Sequence, residues 1–178
     1  MREICKKENI NIISHNIRRR NKRLLKGYRR KKALHAFCIS RNPYDRTVSA
    51  YNYLLKEGKN KTPQDNREAE EYIKPYDDFR DFVKNGLHEA AEKQLHFFPQ
   101  VFWIYNQHGE PEVETTLRME NLEKDFHAFC EKMDLNPVRL RKTNTSSRQS
   151  WEKYYDEETK QIVADIYHYD FEYFNYKK

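Results

Sequence analysis

The chain has 178 residues, a single domain's length, with 37% hydrophobic residues and a mean hydropathy of −1.15. No apolar run approaches a membrane span and the first residues lack a signal-peptide pattern, so the expected location of the chain as it stands is cytoplasmic. The three cysteines (Cys5, Cys38, Cys130) are odd in number and widely spaced, which excludes a disulfide framework and gives no metal-ligand spacing. The core must therefore lean on 13 Tyr and 10 Phe.

The net charge of +6 is uneven. Ten of the 34 Lys and Arg lie in residues 17–32, with no acid among them; the remainder holds 24 basic against 28 acidic residues, a balance of −4. The segment Arg18–Lys32 has two readings: a solvated helix face, or a surface for a polyanion such as an acidic glycan, a nucleic acid or an anionic membrane. Tyr28 is its single aromatic, which counts against single-stranded nucleic acid, whose bases need stacking partners. Retention on heparin is expected to fall steeply with salt. Neutralising Arg18, Arg19, Arg20 and Arg23 should remove most of it; elution of the quadruple variant at the wild-type salt concentration would leave only a solvated face.

In chain order, Ile10–Ile13 reads as a short strand, and Ser14 as the cap of a basic helix reaching Leu25. Ala33–Ile39, apolar except for His35, predicts a strand covered on both faces. A helix follows directly: Asn42 is an N-cap, Pro43 suits the first helical position, and Asp45 puts a negative charge in the first turn. Tyr44, Val48, Tyr51 and Leu55 form its apolar stripe. A strand running into a capped helix offers an anion site, with free N–H groups and the helix dipole at the junction. Arg41 stands there, and Ser49 lies two turns along. On pattern alone, Arg41 and Arg46 read equally well as surface charges.

Residues 56–75 predict a long loop with a short helix over Arg67–Ile73. A helix to Asn85 follows, with Phe79, Phe82 and Val83 inward and Gly86 as its stop. Pro99 predicts another helix, burying Val101, Phe102, Ile104 and Tyr105, and His96 reads first as a packing residue at its entrance. Val113–Met119 alternates like a strand, with Val113, Thr115, Leu117 and Met119 on one side. The helix opening at Glu120 carries Leu122, Phe126, Phe129 and Met133. Residues 136–150 form a polar loop, and a final helix runs from Asp156 to about Tyr169 with Val163, Ile166 and Tyr167 inward.

The wording Arg41-Asn-Pro-Tyr-Asp-Arg-x-Val-Ser49-Ala-Tyr resembles the 3′-phosphate motif of sulfotransferases that use PAPS, 3′-phosphoadenosine 5′-phosphosulfate. The membrane-type and carbohydrate branch is the most similar. Three later segments match in order: His-Phe-Phe-Pro-Gln (His96–Gln100), Leu-Arg-Met-Glu-Asn-Leu (Leu117–Leu122), and Ile-Tyr-x-x-Asp-Phe-x-x-Phe-x-Tyr (Ile166–Tyr176). The resemblance implies that Arg41 and Ser49 hold the 3′-phosphate. It implies that a loop with Asn144, Ser146 and Arg148, before the pair Tyr154-Tyr155, closes over the nucleotide. It places His96 near the acceptor side, and makes His15, some way before Arg41, a candidate catalytic base. An ordinary surface or capping histidine is the plain alternative for His15.

The family's Lys-x-Gly-Gly-Thr-Ser-like loop, which wraps the 5′-phosphosulfate, has no counterpart here, since the four glycines are isolated. The expectation is thus an α/β fold, a parallel sheet flanked by helices, related to P-loop NTPases and N-terminally truncated. It is one domain over residues 1–178, with a basic segment over 1–32 and a core over 33–178. A sheet edge left unpaired would be a site for association. The function implied is sulfuryl transfer from PAPS, without a metal, to a hydroxyl on a glycan or other acceptor. The alternative is a non-catalytic module binding nucleotide or polyanion.

Overall fold

The computed structural model describes residues 35–56, 62–105, 109–140 and 149–178. The chain divides into two compact units, one of Met1–Ser40 and Trp103–Thr145, the other of Arg41–Phe102 and Ser146–Lys178. The class is mixed α/β, as expected.

The first unit holds β1 (Phe37–Ser40) and β2 (Thr115–Arg118), paired in parallel with Phe37 opposite Thr115 and Ser40 opposite Arg118. A parallel pair needs a long crossover, and the whole second-unit segment of residues 41–102 lies within it in sequence. β2 runs through a 3-10 turn (Met119–Asn121) into α5 (Leu122–Lys132). Leu117, Phe126, Phe129 and Cys130 form this unit's buried cluster. The strand prediction needs correction at both ends. α5 covers the start of β1, where Phe37 meets Phe129 at 4.8 Å, but Ile39 is 40% exposed, so β1 is not covered throughout. β2 ends at Arg118, so its alternation ends there too, and Met119 swings out into solvent. Burial pushes the thiols of Cys38 and Cys130 up, which disfavours the thiolate in both.

The second unit is helical among the described residues. α1 (Pro43–Leu55) starts where the sequence placed it, with the Asn42 side chain accepting the Tyr44 N–H at 2.9 Å. Its buried residues include Tyr44, Thr47, Val48, Ala50, Tyr51 and Leu54; Leu55 is exposed, because Thr47 and Ala50 widen the buried face toward the side that Leu54 occupies. α2 (Pro63–Tyr72) begins earlier than predicted, at a reciprocal cap between Thr62 and Asp65. α3 (Phe79–Asn85) is capped by Asp78, and Gly86 both ends it and begins α4 (Leu87–Lys93), a helix the sequence reading does not anticipate. A Cβ at Gly86 would lie 2.3 Å from the Tyr76 ring, so any side chain there would have to displace that ring. Pro99 opens not an α-helix but a 3-10 turn, Gln100–Trp103. Val101 and Ile104 are each buried as expected, whereas Phe102 is 49% exposed, against expectation. The final helix is two: α6 (Glu157–Ile166), capped by Asp156, and α7 (His168–Tyr173). No helix among the described residues is long and apolar enough to cross a membrane.

The second unit's core is largely aromatic. Phe82 is fully buried, with its ring 5.0 Å from Phe97, 5.5 Å from Tyr51 and 5.7 Å from Tyr76. Tyr167 is also buried, and its hydroxyl donates to the Phe97 carbonyl at 2.7 Å. Burial pushes the Tyr167 phenol up to about 12. The unfolded phenol ionises near pH 10, so above that pH the unfolded chain loses a proton that the native state keeps, and stability falls. Tyr167 should account for roughly 2–3 kcal/mol of stability lost between about pH 10 and 12. Urea unfolding of Tyr167→Phe against wild type across that window checks this: the variant's curve should be the flatter, and parallel curves would count against it.

Candidate functional site

Arg41 precedes the Asn42 cap of α1, so its backbone lies outside the helix while its side chain runs beside the first two turns. Its Nε–H donates to Asp45 Oδ2 at 2.6 Å, and its Nη1–H donates to Ser49 Oγ at 2.8 Å. Asp45 and Ser49 follow at helical spacing, which puts both on the face beside Arg41. Arg41 and Ser49, joined in sequence only by a motif, are thus brought into contact. Asp45, which the sequence alone places only as a charge on the helix dipole, also fixes the guanidinium.

A guanidinium carries five N–H groups, of which these bonds use two. Nη2 and one Nη1 hydrogen remain without a partner among the described residues. Because Ser49 Oγ accepts from Arg41, its own hydrogen is directed away from the guanidinium. The Arg41 and Asp45 side chains are 26% and 18% exposed, sheltered enough to be ordered and open enough to be reached. The arrangement suits a tetrahedral oxyanion, which takes planar paired donors and a hydroxyl together.

The free N–H groups expected at the helix start are fewer than anticipated. Pro43 has none, Tyr44 donates to the Asn42 side chain, and Arg46 N–H donates to the Asn42 carbonyl at 2.8 Å. The site's donors are therefore side chains, with the helix dipole behind them. Arg46 is not a surface charge. Its Nη2 donates to the carbonyls of His96, at 3.0 Å, and Phe98, and its guanidinium lies 5.7 Å from the Tyr167 ring centroid, so it holds the 96–98 turn.

His96 packs within that turn. The Gln94 carboxamide oxygen accepts from the His96 and Phe97 backbone N–H groups, which turns its NH2 toward Glu68 Oε2 and His96 Nδ1. Nδ1 is then an acceptor, and the ring proton sits on Nε2. Asp65, Glu68 and His96 bring three potential ligand atoms within 4.8 Å of one another. The Gln94 amide hydrogens already bridge two of them, and Asp65 Oδ2 accepts from Tyr53 and from Thr62. The cluster reads as a satisfied packing network.

Of the nucleotide-covering residues, Asn144, Ser146 and Arg148 lie outside the described residues, as do His15, the whole of Arg18–Lys32 and the rest of residues 1–34. Tyr155, from the pair that follows the loop, is placed: its hydroxyl donates to the Tyr44 carbonyl at 2.9 Å, and burial raises its phenol well above the ordinary value. It anchors the chain after the loop to α1 at the same end as Arg41.

A family model described as the sulfotransferase family matches residues 1–177. The chain belongs to the sulfotransferase family. No curated protein and no solved structure matches it. Membership makes sulfuryl transfer the chemistry of the family domain, and the Arg41, Asp45 and Ser49 cluster is the described part of this sulfotransferase best suited to an anionic group.

Proposed function

We propose that this sulfotransferase moves a sulfuryl group from PAPS to a hydroxyl on a carbohydrate, with the 3′-phosphate held by Arg41 and Ser49. The observation that supports the reading is the contact of Arg41 Nη1 with Ser49 Oγ at 2.8 Å while Asp45 fixes Nε. The donor set fits the group: a forked cation and a hydroxyl at a helix start meet a phosphate dianion, and a carboxylate on the far side of the fork aims it.

PAPS supplies an activated sulfuryl group whose leaving side is a phosphate. In the transfer, the acceptor oxygen forms a bond to sulfur, the bond from sulfur to the phosphate oxygen breaks, and the hydroxyl proton passes to a base. His15 is the candidate base, since an imidazole accepts a proton near neutral pH. Asn144, Ser146 and Arg148 are the candidate covering residues. Energy spent on the 3′-phosphate anchors the nucleotide remote from the reacting atoms, and it aids the reaction by positioning.

The experiment is transfer of label from PAPS to a panel of glycans of differing sugar and linkage. Labelled product from at least one glycan is expected, and His15→Ala should lower kcat by about a hundred- to ten-thousandfold. Tight nucleotide binding with no transfer to any acceptor would favour the non-catalytic module instead. Transfer unaffected by His15→Ala would remove His15 alone.

A further inference from the structure

The Arg41 backbone has an unusual partner. Gln100 Oε1 accepts the Arg41 N–H at 2.9 Å, and Gln100 Nε2 donates to the Arg41 carbonyl at 2.8 Å. One carboxamide thus satisfies both backbone polar groups of a residue that neither helix nor sheet serves. Gln100 is held in turn by Asp170 in the first turn of α7. Asp170 Oδ2 accepts the Gln100 N–H at 2.9 Å and Gln100 Nε2 at 3.2 Å, and Oδ1 accepts the Val101 N–H at 2.8 Å. Asp170 is fully buried. The carboxamide cannot turn over without setting its NH2 against the Arg41 N–H and its oxygen against a carboxylate. Its orientation is therefore imposed by Asp170, a residue from the opposite end of the second unit's sequence.

We propose that Gln100, oriented by Asp170, is a positioning residue for the nucleotide: it sets the Arg41 backbone so that the guanidinium reaches Asp45 and Ser49 in a shape ready for the 3′-phosphate. The inference rests on the 3′-phosphate reading of Arg41. The Asn42 cap of α1 does not pass through Gln100, so losing the carboxamide leaves the helix start intact and frees only the residue before it. The contribution is preorganisation: a guanidinium already in place loses less freedom when the ligand arrives.

The test is calorimetric titration of the whole chain with 3′-phosphoadenosine 5′-phosphate and with adenosine 5′-monophosphate, which lacks the 3′-phosphate. Gln100→Met keeps the size and removes the hydrogen bonds. It should weaken the bisphosphate about ten- to a hundredfold, the scale of one or two such bonds, and leave the monophosphate unchanged. Added to Arg41→Ala, it should cost nothing further, because both changes act through one guanidinium. A merely structural role would weaken both nucleotides alike. Should Gln100→Met fail to fold, Gln100→Asn retains a carboxamide but withdraws it by one methylene, and the same selective loss is expected. Preference for the bisphosphate that disappears with Arg41→Ala but survives both Gln100 variants would overturn the inference and spare the site. Equal affinity of wild type for the two nucleotides would overturn the site reading and the inference with it.

Discussion

Arg41→Ala is expected to weaken binding of 3′-phosphoadenosine 5′-phosphate by about 2–3 kcal/mol, the scale of a charge-assisted hydrogen bond lost with its partner left unpaired. Two effects add. The ligand loses the forked donor, and Asp45 is left as a partly sheltered carboxylate beside the site, no longer bonded to the Arg41 Nε–H and repelling the phosphate. Arg41→Lys separates them: a lysine restores charge but not the fork that meets Asp45 and the ligand together, so recovery should be partial. Ser49→Ala removes a single hydrogen bond to the charged phosphate and should cost about 1.5 kcal/mol. Calorimetry on the four proteins gives the order wild type, Ser49→Ala, Arg41→Lys, Arg41→Ala from tightest to weakest. Equal affinity in wild type and Arg41→Ala would remove the site.

Phe82→Ala should destabilise the fold by about 3–5 kcal/mol, the range for deleting a buried aromatic side chain and leaving a cavity. Phe82 is fully buried, and its ring neighbours Tyr51, Tyr76 and Phe97 come from three parts of the second unit. A hydroxyl or a bulky ring on each neighbour limits collapse into the space. Tyr51 belongs to α1, so the loss should also loosen the helix that carries Arg41 and Ser49. Urea unfolding monitored by circular dichroism measures the change; a loss below about 1 kcal/mol would show that the aromatic cluster closes over the gap.

The start of α1 was readable because its signals are local. Asn42, Pro43 and Asp45 each act within one turn, and the spacing from Arg41 to Ser49 follows from helix pitch alone. The Thr62 start of α2 is equally local, though its reciprocal partner is Asp65 and not the usual glutamate. The short apolar run after Pro99 fits both an α and a 3-10 period, so the sequence does not tell them apart. β1 was overextended because an apolar run records burial without saying what covers it. The pairing of Gln100 with Arg41 and Asp170 was beyond sequence reasoning altogether. All three residues stand in family-like wording, but the contacts span 59 and 70 positions, and no periodicity links residues so far apart.

The central claim is that Arg41 and Ser49 grip the phosphate on the ribose 3′ oxygen. A crystal structure of the protein with 3′-phosphoadenosine 5′-phosphate tests it most directly. The expected result is the 3′-phosphate within hydrogen-bonding distance of an Arg41 Nη atom and of Ser49 Oγ, with Asp45 still on Arg41 Nε. A nucleotide bound with its 3′-phosphate on other residues, or with Arg41 turned away from it, would contradict the claim.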